Sequence, residues 1–283
     1  MSRPPWDSPG SRLFPALAIG GLAALVVFLA LPLIGLLVRV SPGEVLVRLA
    51  DPRVLAALRL SLVTSFAATA LVVVLGIPTA YLLATREFRG KRLVEVLVQL
   101  PMVLPPTVAG FALLMAFGRM GLAGRWLRVL GLTLPFTTLG VVMAQVFMAA
   151  PFFVAPVRAG FAGVDRRLIE AAATLRASEP VRFFRVILPL AGPSLLAGTT
   201  LCAARALGEF GATITFAGNL PGVTQTMPLA VYVALQSDLD AAVALSILLL
   251  LMSMGLLIGL RAAPSVFPGV RTGASNPAPT PPR

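Results

Sequence analysis

The stretch "RALGEFGATITFAGN", residues 205–219, decides how this chain is read. It is apolar or small throughout except for Arg205 and Glu209, which stand four positions apart. Charges are costly inside a bilayer and mark function when they occur there. Whether the segment belongs in a bilayer is decided by its surroundings. Of 283 residues, 58% are hydrophobic and 12% charged, against about 25% charged in an ordinary soluble domain. The mean hydropathy is +0.93. That balance points to a chain that crosses a membrane several times.

Uncharged windows bounded by charged residues set the layout. The windows 13–38, 60–85, 96–118, 129–157 and 241–260 each have room for one spanning helix, which takes about 20 apolar residues. A further span is expected from about Leu190 to Phe216, carrying Arg205 and Glu209 and ending at the turn formers of "AGNLPG". The fold class is therefore all-α, a polytopic membrane protein with six transmembrane helices. The N-terminal run "LAIGGLAALVVFLALPLIGLL" reads as the first of these. It is too long for a signal peptide, and no small-residue cleavage site precedes polar chain. Segment 1–12 precedes it, 13–54 holds the first helix and an outer loop, and the Pro-rich tail 262–283 is expected to be disordered.

Arginine and lysine distribution gives the orientation. With the N-terminus inside, the inner segments hold fifteen basic residues and the outer segments six, with Arg59 and Arg205 in or at spans. Both termini are expected in the cytoplasm. Arg119, Arg125 and Arg128 are the outer residues that run against the trend.

Absences exclude several chemistries. The chain has no His and one cysteine, Cys202, which removes intrachain disulfides, His-based catalysis and His-ligated zinc or haem. Cys202 reads as a small packing residue. The single lysine, Lys91, is followed by Arg92, so no phosphate-binding loop with Lys before Ser or Thr is present. No cofactor or metal is expected on this chain. The formal charge of +12 is spread between apolar spans, which argues against nucleic-acid binding.

The long inner loop runs "VDRRLIEAAATLRASEPVRFFRVILPLAGPSLLAG", residues 164–198. Its Ala-rich part, Glu170 to Leu175, is expected to be helical. "SEP" at 178–180 breaks that helix and starts another, with Ser178 as N-cap and Pro180 in the first turn. "VRFFRVILPLAGP" mixes basic, aromatic and aliphatic residues, as expected of a helix lying at the membrane surface before the next span.

At these residues the chain resembles the permease subunits of ABC importers, whose cytoplasmic signature begins Glu-Ala-Ala, places Gly six residues after the Glu, and ends Leu-Pro. Glu170, Ala171, Ala172, Leu188 and Pro189 stand at the matching positions, and Arg176 replaces the Gly. A non-Gly residue at the positive φ that Gly would supply costs about 1–2 kcal/mol. Either the turn is made differently here or Arg176 has a contact of its own. The first half of the core, residues 58–110, resembles oxyanion and metal-ion importers through Gly76-Ile77-Pro78, Leu100-Pro101 and Pro105-Pro106. Residues 205–238 resemble molybdate-type permeases, while sulfate-type permeases share only the Gly208–Gly211 core. The resemblance implies a permease domain over 55–261 with an ATPase-coupling loop at about 160–189. It also implies a second copy of the chain, ABC ATPase subunits, an extracytoplasmic molybdate-binding protein, and ATP hydrolysis on the partner alone. Molybdate or tungstate is the implied substrate. A sulfate or thiosulfate permease is the alternative, with an ATP-independent secondary transporter behind it.

Two sets of residues remain. On a continuous helix Gly198, Cys202, Arg205, Gly208, Glu209, Ala212 and Thr213 share one small or polar face, so Arg205 and Glu209 are expected to form an intrabundle pair or gate. Ser61, Ser65 and Thr69 recur every four residues, with Thr79 near the same face. They are candidates to line an oxyanion path, against the plainer reading that they bond their own helix.

Overall fold

A computed structural model describes residues 13–262. The segment 1–12 and all but the first residue of the expected disordered tail lie outside the described residues. Within them the chain is helical, with no strand. The helices are α1 (Leu13–Arg39), α2 (Pro42–Leu49), α3 (Pro52–Thr85), α4 (Lys91–Val103), α5 (Pro106–Phe117), α6 (Gly124–Val129), α7 (Thr138–Ala162) and α8 (Arg166–Thr174). They continue with α9 (Glu179–Arg182), a π-helical turn Phe183–Ile187, α10 (Leu188–Leu190), α11 (Gly192–Leu207), α12 (Gly211–Phe216), α13 (Met227–Ser237) and α14 (Leu239–Ala262).

Four stretches are each long and apolar enough to cross a membrane: Pro15–Arg39, Pro52–Thr85, Thr138–Ala162 and Leu239–Leu260. The other two expected spans are interrupted. The window 96–118 is divided at Leu104 and Pro105, both extended, with ψ of 132°. Pro105 and Pro106 cause this, since neither offers an N–H and each pushes the preceding residue out of the helical region. The expected helix Leu190–Phe216 is divided at Gly208–Phe210, where Phe210 takes φ −128°, ψ −58°. A single continuous face through Ala212 and Thr213 therefore does not exist. Upstream, the segment Glu179–Leu190 meets α11 at a bend of 70°.

The centre of the bundle is α3 against α7 and α11. Lipid tails are as apolar as leucine, so helices in a membrane associate through close packing rather than by escaping water. Small residues permit it. A Cβ on Gly76 of α3 would lie 2.5 Å from Cδ1 of Phe153, which is fully buried on α7. Ala68, Val72, Val157, Leu195, Cys202 and Ala206 belong to the same core. The short helices α5 and α12 approach as closely: a Cβ on Gly110 would meet the Ala212 carbonyl oxygen at 2.6 Å, and one on Gly211 would meet Pro106 Cβ at 2.7 Å. Both half-helices thus begin side by side, next to Glu209.

Helix α3, about 50 Å long at 1.5 Å per residue, has one end at α8–α10 and the other at α2. At the α2 end Arg48 Nη2 donates to Asp238 Oδ2 at 2.9 Å, while Asp238 Oδ1 caps α14 by accepting the Ala241 N–H at 3.0 Å.

Candidate functional site

The residues of the 164–198 loop fold into one device at the end of α3 away from α2. Asp165 caps α8, its Oδ1 accepting the Arg167 N–H at 2.9 Å. The helix closes with two bonds. Arg176 N–H donates to the Ala173 carbonyl at 2.9 Å, and Ala177 N–H reaches back to the Ala172 carbonyl at 3.1 Å. This is a Schellman closure, which needs a left-handed residue at its turn. That residue is Arg176, at φ 58°. The turn is made as Gly would make it, with Arg bearing the steric cost. Ser178 is the N-cap of α9 by backbone geometry, without a side-chain bond, and Pro180 lies in its first turn.

Helix α8 is held by one side and open on the other. Ile169 packs on the α3–α7 core. Leu168, Ala171 and Leu175, at i, i+3 and i+7, face outward together with Glu170 and Arg176. Ala172, Leu188 and Pro189 are half-buried. An open cleft of about 580 Å³ separates α8 and α9 from the ends of α3 and α7, with Arg86, Arg166, Arg182, Glu170 and Glu179 on its walls. Arg86 and Glu179 form an ion pair across it. Beside it, Arg158 Nη2 meets Glu95 Oε1 at 2.9 Å, joining α7 to α4. Lys91 holds the neighbouring Glu87 carboxyl below its ordinary pKa through a 2.6 Å hydrogen bond.

Three aromatic rings tie this loop to the spans. Phe183, on the π-helical turn, stands edge-on to Tyr81 of α3 at 4.8 Å between centroids, and Tyr81 stands edge-on to Phe161 of α7 at 5.8 Å. Phe161 and Phe183 are 6.0 Å apart. Such pairs contribute about 0.5–1.5 kcal/mol each beyond their buried area. Sequence reasoning missed this joint because nothing local marks three rings brought together from positions 81, 161 and 183.

The charged pair lies at the break between α11 and α12. Arg205 Nη1 is 2.6 Å from Glu209 Oε2. Glu209 is 1% exposed, and its Oε1 accepts the Ala212 N–H at 2.8 Å, in the first turn of α12. One carboxylate therefore bridges the end of one helix and the start of the next. The guanidinium of Arg205 also stands over the Phe152 ring at 5.9 Å. The i,i+4 proximity survives the break because Glu209 N–H still bonds back to the Ala206 carbonyl at 3.2 Å.

The candidate path residues separate. Ser61, Ser65 and Thr69 are buried inside the bundle. Ser61 Oγ accepts the Met227 N–H at 2.7 Å, joining α3 to α13, and Ser65 Oγ faces Gln145 Nε2 of α7 at 3.5 Å. Thr69 Oγ1 has no hydrogen-bond partner among the described residues. Thr79 is half-exposed and donates to the Leu75 carbonyl of its own helix at 2.7 Å. Within the chain the stripe is covered by α7 and α13. Gln145 was missed, although it is the one amide in the window 129–157. No group of three or more Cys, Asp or Glu residues that could hold a metal occurs among the described residues.

The described residues form a helical bundle with four helices long and apolar enough to cross a membrane. Residues 73–263 match the family model described as binding-protein-dependent transport system inner membrane component, and the chain belongs to this family of multi-pass ABC transporter permeases. It is similar to the molybdenum transport system permease protein ModB of Mycobacterium tuberculosis, with 43% identity over 261 residues, covering 92% of this chain and 96% of the relative. The protein of the same description from Escherichia coli K12 is 44% identical over 190 residues, 67% of this chain and 82% of its own. Among solved structures, a bacterial ABC transporter that imports the acidic polysaccharide alginate shares the fold. Its TM-score is 0.71 at 16% identity, over 88% of this chain and 93% of that one. An amino acid ABC transporter gives a TM-score of 0.53 at 19% identity, over 74% and 92%.

Proposed function

We propose that the chain is the membrane-spanning subunit through which an ABC importer takes up molybdate or the chemically similar tungstate. Two copies form the path, two ATPase subunits dock on α8, and an extracytoplasmic binding protein delivers the anion. Both termini and the α8–α10 loop face the cytoplasm. The relatives named for molybdenum transport support the substrate. The observation that carries the coupling role is α8 itself: a short helix closed by an ordered turn, exposing Leu168, Ala171 and Leu175 while Ile169 anchors it. An exposed apolar stripe on a capped helix is a surface prepared for a partner. ATP-driven movement of that partner shifts α8 and α9, and the Phe183–Tyr81–Phe161 joint passes the shift to α3 and α7. Arg205 and Glu209 hold the broken fifth span in one shape while its neighbours move.

The test is purification of the tagged, detergent-solubilised chain with every co-purifying subunit identified by mass. An ATPase is expected, and Leu175→Glu on α8 should release it while leaving the permease folded. Retention of the ATPase by that variant would place docking elsewhere.

A further inference from the structure

The loop from Arg119 to Leu132, at the end of the bundle opposite α8, carries an exposed apolar face and three exposed arginines. Its path is fixed. The Leu122 and Ala123 N–H groups bond to the Met115 and Ala116 carbonyls at 3.1 and 2.8 Å, folding the chain back onto α5. Gly124 is required there, since a Cβ would fall 1.8 Å from the Gly118 carbonyl oxygen. On this ordered turn Leu122, Trp126 and Val129, at i, i+4 and i+7, are 87%, 65% and 83% exposed. Large apolar side chains exposed together form the kind of patch that meets a partner or a lipid. Arg119, Arg125 and Arg128 are exposed beside them, and Arg125 stands over the Trp126 ring at 5.5 Å. No Asp or Glu occurs anywhere from 96 to 164, so these arginines have no acid nearby in sequence, and none of them is in an ion pair among the described residues.

We propose that this loop is an interfacial anchor seated on anionic phospholipid headgroups. Trp enriches at the level of the headgroups, its ring among the acyl chains and its N–H toward water. Leu122 and Val129 sit beside it at the acyl boundary. The arginines reach outward to phosphate, where guanidinium binds two oxygens at once. Charge complementarity selects the lipid: each arginine close to an anionic surface favours it about fivefold over a neutral one. Helix α5 leads into the loop and also carries large exposed apolar residues, Val108, Phe111 and Met115. Anchored there, α5 keeps its depth in the bilayer next to α12 and the Glu209 junction. The inference rests on the membrane setting of the family and not on the substrate.

Trp6 and Trp126 are the two tryptophans, so Trp6→Phe leaves Trp126 as the reporter. The full chain carrying that change is placed in vesicles containing equal fractions of phosphatidylglycerol and phosphatidylcholine, one or the other with brominated tails. Brominated phosphatidylglycerol is expected to quench Trp126 at least about twofold more strongly, a preference that high salt removes. Changing Arg119, Arg125 and Arg128 to Gln should abolish the preference and leave the phosphatidylcholine quenching in place. Equal quenching by both lipids in the chain with its arginines intact would overturn the anionic preference. Absence of quenching by either would overturn the lipid seat, and shielding of Trp126 on addition of a binding protein or a second copy would assign the face to that partner instead.

Discussion

Replacing Glu209 by Gln isolates the charge at the broken span. The substitution keeps an oxygen to accept the Ala212 N–H, now 2.8 Å away, but removes the partner of Arg205. Breaking a buried pair from one side costs about 3–5 kcal/mol, because the remaining charge is left without compensation. Arg205 is 22% exposed and keeps its position over Phe152, which returns part of that cost. The expected loss is about 2–4 kcal/mol. In thermal unfolding of the purified protein this is a drop of roughly 3–7 °C. Adding Arg205→Met removes the stranded charge, and two apolar or neutral residues in a protein interior can be as stable as the pair they replace. The double variant is therefore expected to melt above Glu209→Gln alone. Thermal midpoints of Glu209→Gln and wild type within about 1 °C of each other, or strictly additive losses in the double variant, would refute the pairing argument.

Other substitutions test the remaining parts. Arg176→Gly relieves a φ of 58° that costs about 1–2 kcal/mol, partly offset by a more flexible unfolded chain, so slower amide exchange is expected across 166–177, whereas Arg176→Val should speed it. Gly76→Ala forces a methyl against Phe153 and is expected to destabilise by about 1–3 kcal/mol in the same thermal assay. Phe183→Ala should leave the ATPase bound but uncouple hydrolysis from uptake, since the loop then loses its contact with Tyr81 and Phe161. The Asp238 carboxyl is held below its ordinary pKa chiefly by the Ala241 N–H, with Arg48 adding to it. A depressed carboxylate stabilises above its unfolded value, about 3.9, and loses that contribution as pH falls through the folded value. Asp238→Asn should therefore be less stable than wild type at neutral pH, with the difference closing below about pH 4.

The alternation of apolar windows with Arg-rich connections made the helical fold legible, because a bilayer leaves few other ways to satisfy backbone groups. Pro105-Pro106 already carried the break of the third span. The break at Gly208–Phe210 was harder to see, because Gly208 and Gly211 on either side of Glu209 also suit a closely packed helix. The Arg205–Glu209 proximity was readable because four residues bring side chains together in a helix and equally across this turn. The burial of the serine stripe was not legible for a physical reason: periodicity says which residues share a face but not which neighbour covers it. Ser61 meets the backbone of Met227, 166 positions away. Arg176 left the turn open in the sequence, and the fold resolves it by accepting a strained arginine.

The most direct test of the account is uptake of molybdate into proteoliposomes containing the chain with its ATPase, supplied with the binding protein outside and ATP within. The account predicts accumulation that requires ATP, the ATPase and the binding protein together, and that equal sulfate does not suppress. Uptake by the chain alone, without ATP, would contradict it.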